Sequence, residues 1–161
     1  MTKLPENPEL LKLYRNGYSD AEIAERFNCT PQAVNARLVA MGLRRYRQKV
    51  TSLLESAWPT AETRRGDFVR LNRYRDLCSF LRWRLDDPDL TENQIRGAKR
   101  FERAIRDGHC VLDFQPDSDE PWAFVPREES DGHMVIRWPQ NRELPEGALR
   151  VALNLPSVPV S

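Results

Sequence analysis

The chain has few of the residues that form disulfide frameworks, metal centres or membrane spans. Its 161 residues include three cysteines and two histidines. The cysteines, Cys29, Cys78 and Cys110, are odd in number and widely spaced, which favours a reducing compartment over a disulfide framework. No apolar run approaches the roughly 20 residues that cross a bilayer, and the opening MTKLPENPELL lacks the zones of a signal peptide. We therefore expect a cytoplasmic protein without a membrane partner.

Patterns typical of catalysis are also scarce. Asp86, Asp87 and Asp89 form a tight carboxylate cluster, but they lie in a proline turn between two predicted helices. His109 and Cys110 are adjacent, yet no second Cys/His pair lies at the spacing of a metal site. The sequence contains neither a nucleophile elbow nor a glycine-rich phosphate loop. The sequence predicts no enzyme activity, no metal and no cofactor.

Charge is nearly balanced in total and unevenly distributed along the chain. The formal net charge is +1. Residues 1–106 hold 21 Lys and Arg against 14 Asp and Glu, whereas residues 107–161 hold 4 against 10. The most basic stretch is 44–84, with 11 basic and 4 acidic residues. This asymmetry predicts a basic surface that faces a polyanion and an acidic region turned away from it.

The first 45 residues carry three successive helix-start signals. Asn7 followed by Pro8, and Thr30 followed by Pro31, each place a capping residue before a proline at the first helical position. Ser19 opens the helix between them, with Glu22 completing a capping box. The pattern predicts three short helices, starting at about residues 7, 19 and 30.

The turn between the second and third helices is short. Asn28 is among the few non-glycine residue types that accept a positive φ, which a tight turn between crossed helices needs. Helix, three-residue turn and helix together form a helix-turn-helix between about Asn7 and Leu43. We expect the helix that begins at Thr30 to lie in the major groove of double-stranded DNA.

Helical rotation from the inward-facing Val34 identifies the side chains that would face DNA. Amide side chains can offer a paired donor and acceptor to adenine, small ones permit close approach, and arginine suits guanine. The predicted base-reading residues are Gln32, Ala33, Asn35, Ala36 and Arg37. Thr30 at the helix N-terminus and the basic run that follows suit phosphates; that run is Arg44, Arg45, Arg47 and Lys49. The alternative is a three-helix bundle that binds protein.

Beyond residue 45 we expect a linker helix over 46–59 and a second domain over 60–161. The second domain is predicted to contain a long helix over 66–85 and another over 91–108. Three strand-like runs follow, Cys110–Phe114, Trp122–Val125 and Met134–Trp138, and the tail from Arg142 is predicted to be irregular. The whole chain is therefore predicted to be mainly α with a small antiparallel sheet, an α+β fold.

A second group of arginines lies at the start of this domain. It comprises Arg64, Arg65, Arg70 and Arg73, with Arg75 close by. Arginine is well suited to bind phosphate, because its planar guanidinium can donate two parallel hydrogen bonds. We interpret the group as a second DNA-backbone contact, and the alternative is a solvated helix face.

Together these segments resemble the immunity repressors of cluster A actinobacteriophages. The resemblance rests on GYSDAEIAERFNCTPQAVNARL, on Trp58-Pro59 followed by Thr63-Arg64, and on VLDFQPD with PWAFVPREESDGHMVIRWP. The family usually has glycine at the turn where this chain has Asn28. The resemblance implies a repressor of early lytic transcription that maintains lysogeny and superinfection immunity in the bacterial cytoplasm. It also implies binding to asymmetric operator and stoperator sites as a monomer, through both domains.

Two other functions remain open at this point. In the first, the helix-turn-helix is retained and residues 60–161 mediate dimerisation or effector sensing. In the second, the protein is a recombinase or nuclease accessory that uses DNA binding for targeting, with Asp86 or Asp87 in the chemistry.

Overall fold

The computed structural model describes residues 3–59 and 65–157. The chain divides into two compact units, Met1–Tyr46 and Arg47–Ser161, called here the first and second units. The helices are α1 (Asn7–Arg15), α2 (Asp20–Phe27), α3 (Pro31–Ala40), α4 (Arg45–Ala57), α5 (Arg65–Val69), α6 (Asn72–Arg84), α7 (Glu92–Gly108) and α8 (Ala148–Ala152). The strands are β1 (Cys110–Phe114) and β2 (Trp122–Pro126). The predicted mainly helical fold with a small antiparallel sheet is confirmed.

The first unit is a three-helix module around a small apolar core. One to two side chains from each helix are buried in that core: Leu10, Ile23, Ala24, Val34 and Leu38. The small Ala24 of α2 is buried in this core together with Val34 and Leu38 of α3. The core orients α3 so that its opposite side faces outward.

Local capping sets the ends of these helices. Ser19 Oγ accepts a hydrogen bond from the Glu22 N–H at 3.1 Å, and Thr30 Oγ1 accepts one from the Ala33 N–H at 3.1 Å. The predicted capping box at Ser19 is incomplete, because Glu22 Oε1 accepts from the Ser19 hydroxyl at 3.2 Å and not from the Ser19 N–H. Asn28 has a φ of 53° in the left-handed region, as predicted for the turn. The predicted cap at Asn7 is wrong. Glu6 is the N-cap of α1, because the Asn7 side chain is used elsewhere: its Oδ1 accepts from Arg37 at 3.1 Å.

The second unit is built on α4, α6, α7 and the two strands. The helix predicted as a linker contributes to this core through Val50, Leu53, Leu54, Ala57 and Trp58. Helices α6 and α7 supply further buried side chains, with Phe80 and Phe101 in ring contact at 5.4 Å. The helix predicted over 91–108 is present as α7, and a capping box between Thr91 and Gln94 starts it.

The prediction of a single helix over 66–85 is wrong, since the helix is interrupted between α5 and α6. Leu71 is extended, with ψ at 144°, and its side chain is 39% exposed. The Phe68 carbonyl accepts from the Leu71 N–H at 3.3 Å and from the buried Trp122 Nε1 at 2.9 Å. The Phe68 ring also meets Phe114 edge-on at 4.9 Å. These contacts with the sheet override the helical pattern.

The predicted three-stranded sheet is also wrong, because the described residues form a two-stranded one. β1 pairs antiparallel with β2, from Cys110 opposite Pro126 to Phe114 opposite Trp122. The third run, 134–138, forms only isolated bridges. Its backbone groups are divided between two neighbours: Val135 O accepts from Leu112 N–H, whereas Val135 N–H donates to Leu153 O. Continuous pairing with β1 is therefore interrupted.

The tail from residue 142 contains a short helix, α8, where the sequence predicted irregular chain. Ala152 and Leu153 at its end are fully buried in the second unit. Apolar contact thus orders a stretch whose proline content favoured irregular structure. Among the described residues, no helix has the length and apolar character needed to cross a membrane.

Candidate nucleic-acid interface

The outward side of α3 is the candidate interface. Val34 and Leu38 are fully buried, so the side chains on the other side of the helix face away from the core. Gln32, Asn35 and Ala36 are exposed, and Ala33 is half-buried. Thr30 is exposed at the start of the helix, where its hydroxyl caps Ala33 N–H. The predicted base-reading positions 32, 35 and 36 thus lie on one accessible side of one helix.

Arg37, also predicted to read bases, is engaged within the first unit. It is half-buried, and its Nη1 donates to the Pro5 carbonyl at 3.3 Å and to Asn7 Oδ1 at 3.1 Å. The guanidinium therefore ties the segment before α1 to α3. No sequence signal indicated this contact, since the partners lie about 30 residues apart.

Arg44 is likewise engaged within the first unit. Its Nη2 donates to Asp20 Oδ1 at 2.7 Å and its Nη1 donates to Asp20 Oδ2 at 3.0 Å. Nη1 also donates to Asn35 Oδ1 on α3. The guanidinium lies 5.9 Å from the centroid of the Tyr14 ring, and the side chain is only 12% exposed. Arg44 thus links three helices instead of presenting a free charge.

The remaining basic residues of the run lie at the start of α4. Arg45, Arg47 and Lys49 are exposed, and no acidic residue lies in the first turn of this helix. Positive charge at a helix N-terminus opposes the helix dipole, typically by a few tenths of a kcal/mol per charge at the surface. A phosphate beside this turn would relieve that repulsion. The side chains of Arg45, Arg47 and Lys49 are accessible at this end of α4.

The predicted second group of arginines separates into different environments. Arg64 and the side chain of Arg65 lie outside the described residues. Arg70 is exposed, whereas Arg73 donates from Nη1 to the Trp122 carbonyl at 2.8 Å and lies 4.6 Å from the Phe124 ring centroid. Arg73 therefore stabilises the contact between α6 and the sheet.

Several other charged residues of the second unit are paired in its interior. Arg82 Nε donates to Asp87 Oδ2 at 2.7 Å, with side chains only 6% and 0% exposed. Asp131 forms a second pair with Arg137 at 2.8 Å. Neither pair was predicted from the sequence, which indicated only a proline turn at Asp87.

The carboxylate cluster of the proline turn has a structural role in the described chain. Asp87 Oδ1 accepts from the Asp89 N–H at 2.9 Å, in addition to the Arg82 contact. Within residues 3–59 and 65–157, no group of three or more His, Cys, Asp or Glu side chains is arranged to hold a metal ion. Burial raises the pKa of the Cys110 thiol, which makes it a poor nucleophile.

Neither a family model nor a curated protein sequence matches the chain. A function for the chain is therefore proposed from the geometry of α2 and α3 and from the sequence pattern.

Proposed function

We propose that this protein is a sequence-specific double-stranded DNA-binding transcriptional repressor whose helix α3 enters the major groove. The observation that carries the proposal is the arrangement of α2, the left-handed turn at Asn28 and α3 around a closed core. This arrangement leaves Gln32, Asn35 and Ala36 exposed on one side. A helix-turn-helix reads base edges with the N-terminal part of its second helix.

The residue types on α3 fit that role. Gln32 and Asn35 each carry a carboxamide, which can donate and accept hydrogen bonds at a base edge. Ala36, one turn after Gln32, adds no bulk that would hold the helix away from the groove. The exposed start of α4 supplies the phosphate contacts through Arg45, Arg47 and Lys49.

The wider assignment follows from the resemblance to phage immunity repressors. On that basis the DNA is an operator or stoperator site in the bacterial host, and the biological role is lysogeny and superinfection immunity. The protein binds as a monomer with a second contact from the second unit, for which Arg70 and Arg75 are exposed candidates.

The environment of Arg73 favours one alternative. Because this arginine is used inside the second unit, that unit offers less positive charge to DNA than the sequence suggested. The second unit would then mediate dimerisation or effector sensing. Sedimentation of the full chain on a duplex with one site separates the two models, since dimerisation requires two chains per site.

The proposal is tested by selecting binding sequences for the full chain from random duplexes. Affinity is then measured for every single-base change in the selected site. Gln32→Ala is expected to cost about 1–3 kcal/mol at one base pair and little at the others. Gln140→Ala, an exposed change of the same chemistry in the second unit, is the control and should change nothing.

Two results would contradict the proposal. One is selection that enriches no sequence above random duplex. The other is uniform weakening by Gln32→Ala across all sequences, because a base contact acts at one position and a phosphate contact acts at all of them.

A further inference from the structure

The contact between Arg44 and Asn35 constrains the candidate interface more than exposure alone does. Asp20, in the first turn of α2, receives two hydrogen bonds from the Arg44 guanidinium, at 2.7 and 3.0 Å. Tyr14 of α1 lies beside the same guanidinium. Arg44 is thus held from two helices while its Nη1 reaches Asn35 on the third.

The chemistry of arginine fixes which way the Asn35 carboxamide points. A guanidinium has N–H donors and no acceptor, so only the amide oxygen can face it. The Asn35 oxygen therefore lies toward Arg44, and the amide nitrogen is the group that remains for other partners. An asparagine without such a neighbour could rotate and present either atom.

We infer that Arg44 is a positioning residue for base recognition, which acts by holding Asn35 so that its amide nitrogen faces the groove. The inference rests on the proposed function of α3. It predicts that Asn35 reads a base-edge acceptor, of which the major groove offers purine N7, guanine O6 and thymine O4. Asp20 neutralises Arg44 locally, so Arg44 adds little attraction for phosphate.

The test measures, in the full chain, the ratio of affinities for the selected site and for the same site changed at each base pair. Asn35→Ala should reduce discrimination at one base pair by about tenfold. Arg44→Lys keeps the charge but lacks the planar guanidinium that contacts Asp20 and Asn35 together. It should reduce discrimination at that same base pair by a similar factor. The double variant should lose no more than Asn35→Ala alone, because both changes remove one interaction.

Asn35→Asp gives a sharper version of the same test. The aspartate can keep the contact with Arg44, since it accepts hydrogen bonds, but it has no N–H to donate. Discrimination at the Asn35 base pair should be lost while the melting temperature of the protein is kept. Full discrimination by this variant would overturn the assignment of the amide nitrogen as the reading group.

Arg45 provides the matched control for Arg44. It is the next residue along the chain and is exposed. Arg26→Lys, the same change at an exposed arginine of α2, should leave base discrimination unchanged. Arg45→Gln should reduce the slope of log affinity against log salt by about one, as loss of a phosphate contact does, whereas Arg44→Gln should leave that slope unchanged.

The outcomes separate this inference from the proposed function. If the wild type discriminates at one base pair through Asn35 but Arg44→Lys retains the full ratio, the inference fails and the repressor proposal stands. Multiplying losses in the double variant, or a reduced salt slope in Arg44→Gln, would also overturn it. A wild type without any preference for sequence would overturn both.

Discussion

The two units use their arginines differently. In the first unit, Arg37 ties the segment before α1 to α3 and Arg44 contacts Asn35 on the outward side of α3, while Arg45 remains exposed. In the second unit, Arg73 and Arg82 connect elements of the core itself. A count of basic residues along the chain therefore overstates the positive charge that the proposed DNA-binding surface would have available, and it does so most in the second unit.

The hydrophobic cores of the two units also differ, in the kinds of side chain that form them. All four tryptophans of the chain lie in the second unit, where Trp58, Phe114 and Trp122 form a cluster with the Phe114 and Trp122 centroids 4.5 Å apart. The first unit has a few buried aliphatic side chains and depends on capped helix ends. Tryptophan fluorescence of the intact chain consequently reports unfolding of the second unit.

The largest effect is expected where a charge is buried. Asp87→Ala would leave Arg82 without its partner in a site where both side chains are almost fully buried. We expect the free energy of unfolding of the second unit to fall by about 3–5 kcal/mol. Denaturant unfolding followed by tryptophan fluorescence measures it. Asp86→Asn is the control, because Asp86 is exposed with a φ of 60°, which asparagine tolerates. A loss below about 1 kcal/mol for Asp87→Ala would show that Arg82 is solvated.

A smaller, pH-dependent effect is expected at Asp131. Burial raises the pKa of this carboxyl, but hydrogen bonds from Arg137 and the Glu128 N–H, with the charges of Arg137 and Arg127, bring it below its ordinary value. Since the folded state binds the proton less tightly than the unfolded state, the carboxylate stabilises the fold above the ordinary carboxyl range. That contribution is lost as the pH falls through the folded-state pKa.

Asp131→Asn should therefore cost about 2 kcal/mol near neutral pH, and the deficit should shrink in acid. Unfolding midpoints measured across the acid range check this, with Asp117→Asn, in an exposed loop, as the control. A deficit that stays constant with pH would mean that the charge of Asp131 contributes nothing.

In the first unit, the comparable change is at the turn. Asn28→Ala should destabilise α2 and α3 by about 1 kcal/mol, because alanine disfavours the left-handed conformation that Asn28 adopts. Asn28→Gly should cost nothing. Hydrogen exchange of the backbone amides of both helices measures the effect in the intact chain, and equal protection in the two variants would contradict it.

The smallest effect tests whether the second unit contributes to the proposed DNA binding. Arg70→Gln should lower the salt slope of DNA binding by about one without changing the unfolding midpoint. Arg73→Gln should leave the slope unchanged and lower the stability of the second unit by about 1 kcal/mol, since it removes the bond to the Trp122 carbonyl. An unchanged slope for Arg70→Gln would favour a second unit that binds protein or an effector.

What the sequence alone determined is the local structure of the first unit. The caps at Ser19 and Thr30 and the left-handed Asn28 depend on residues within four positions of one another, so their signals are readable along the chain. The accessible positions of α3 followed from helical rotation about Val34. In the second unit the capping box at Thr91 was readable for the same reason.

Tertiary structure decided what depends on distant partners. The break before Leu71 arises because the Phe68 carbonyl binds Trp122, 54 residues away. Residues 134–138 do not extend the sheet, because their backbone forms hydrogen bonds both with Leu112 of β1 and with Leu153. In the sequence Arg44 is part of a basic run, but in the structure it is held by Asp20 of α2 and Asn35 of α3. A side chain's charge is local, but its partner depends on which helices the core brings together.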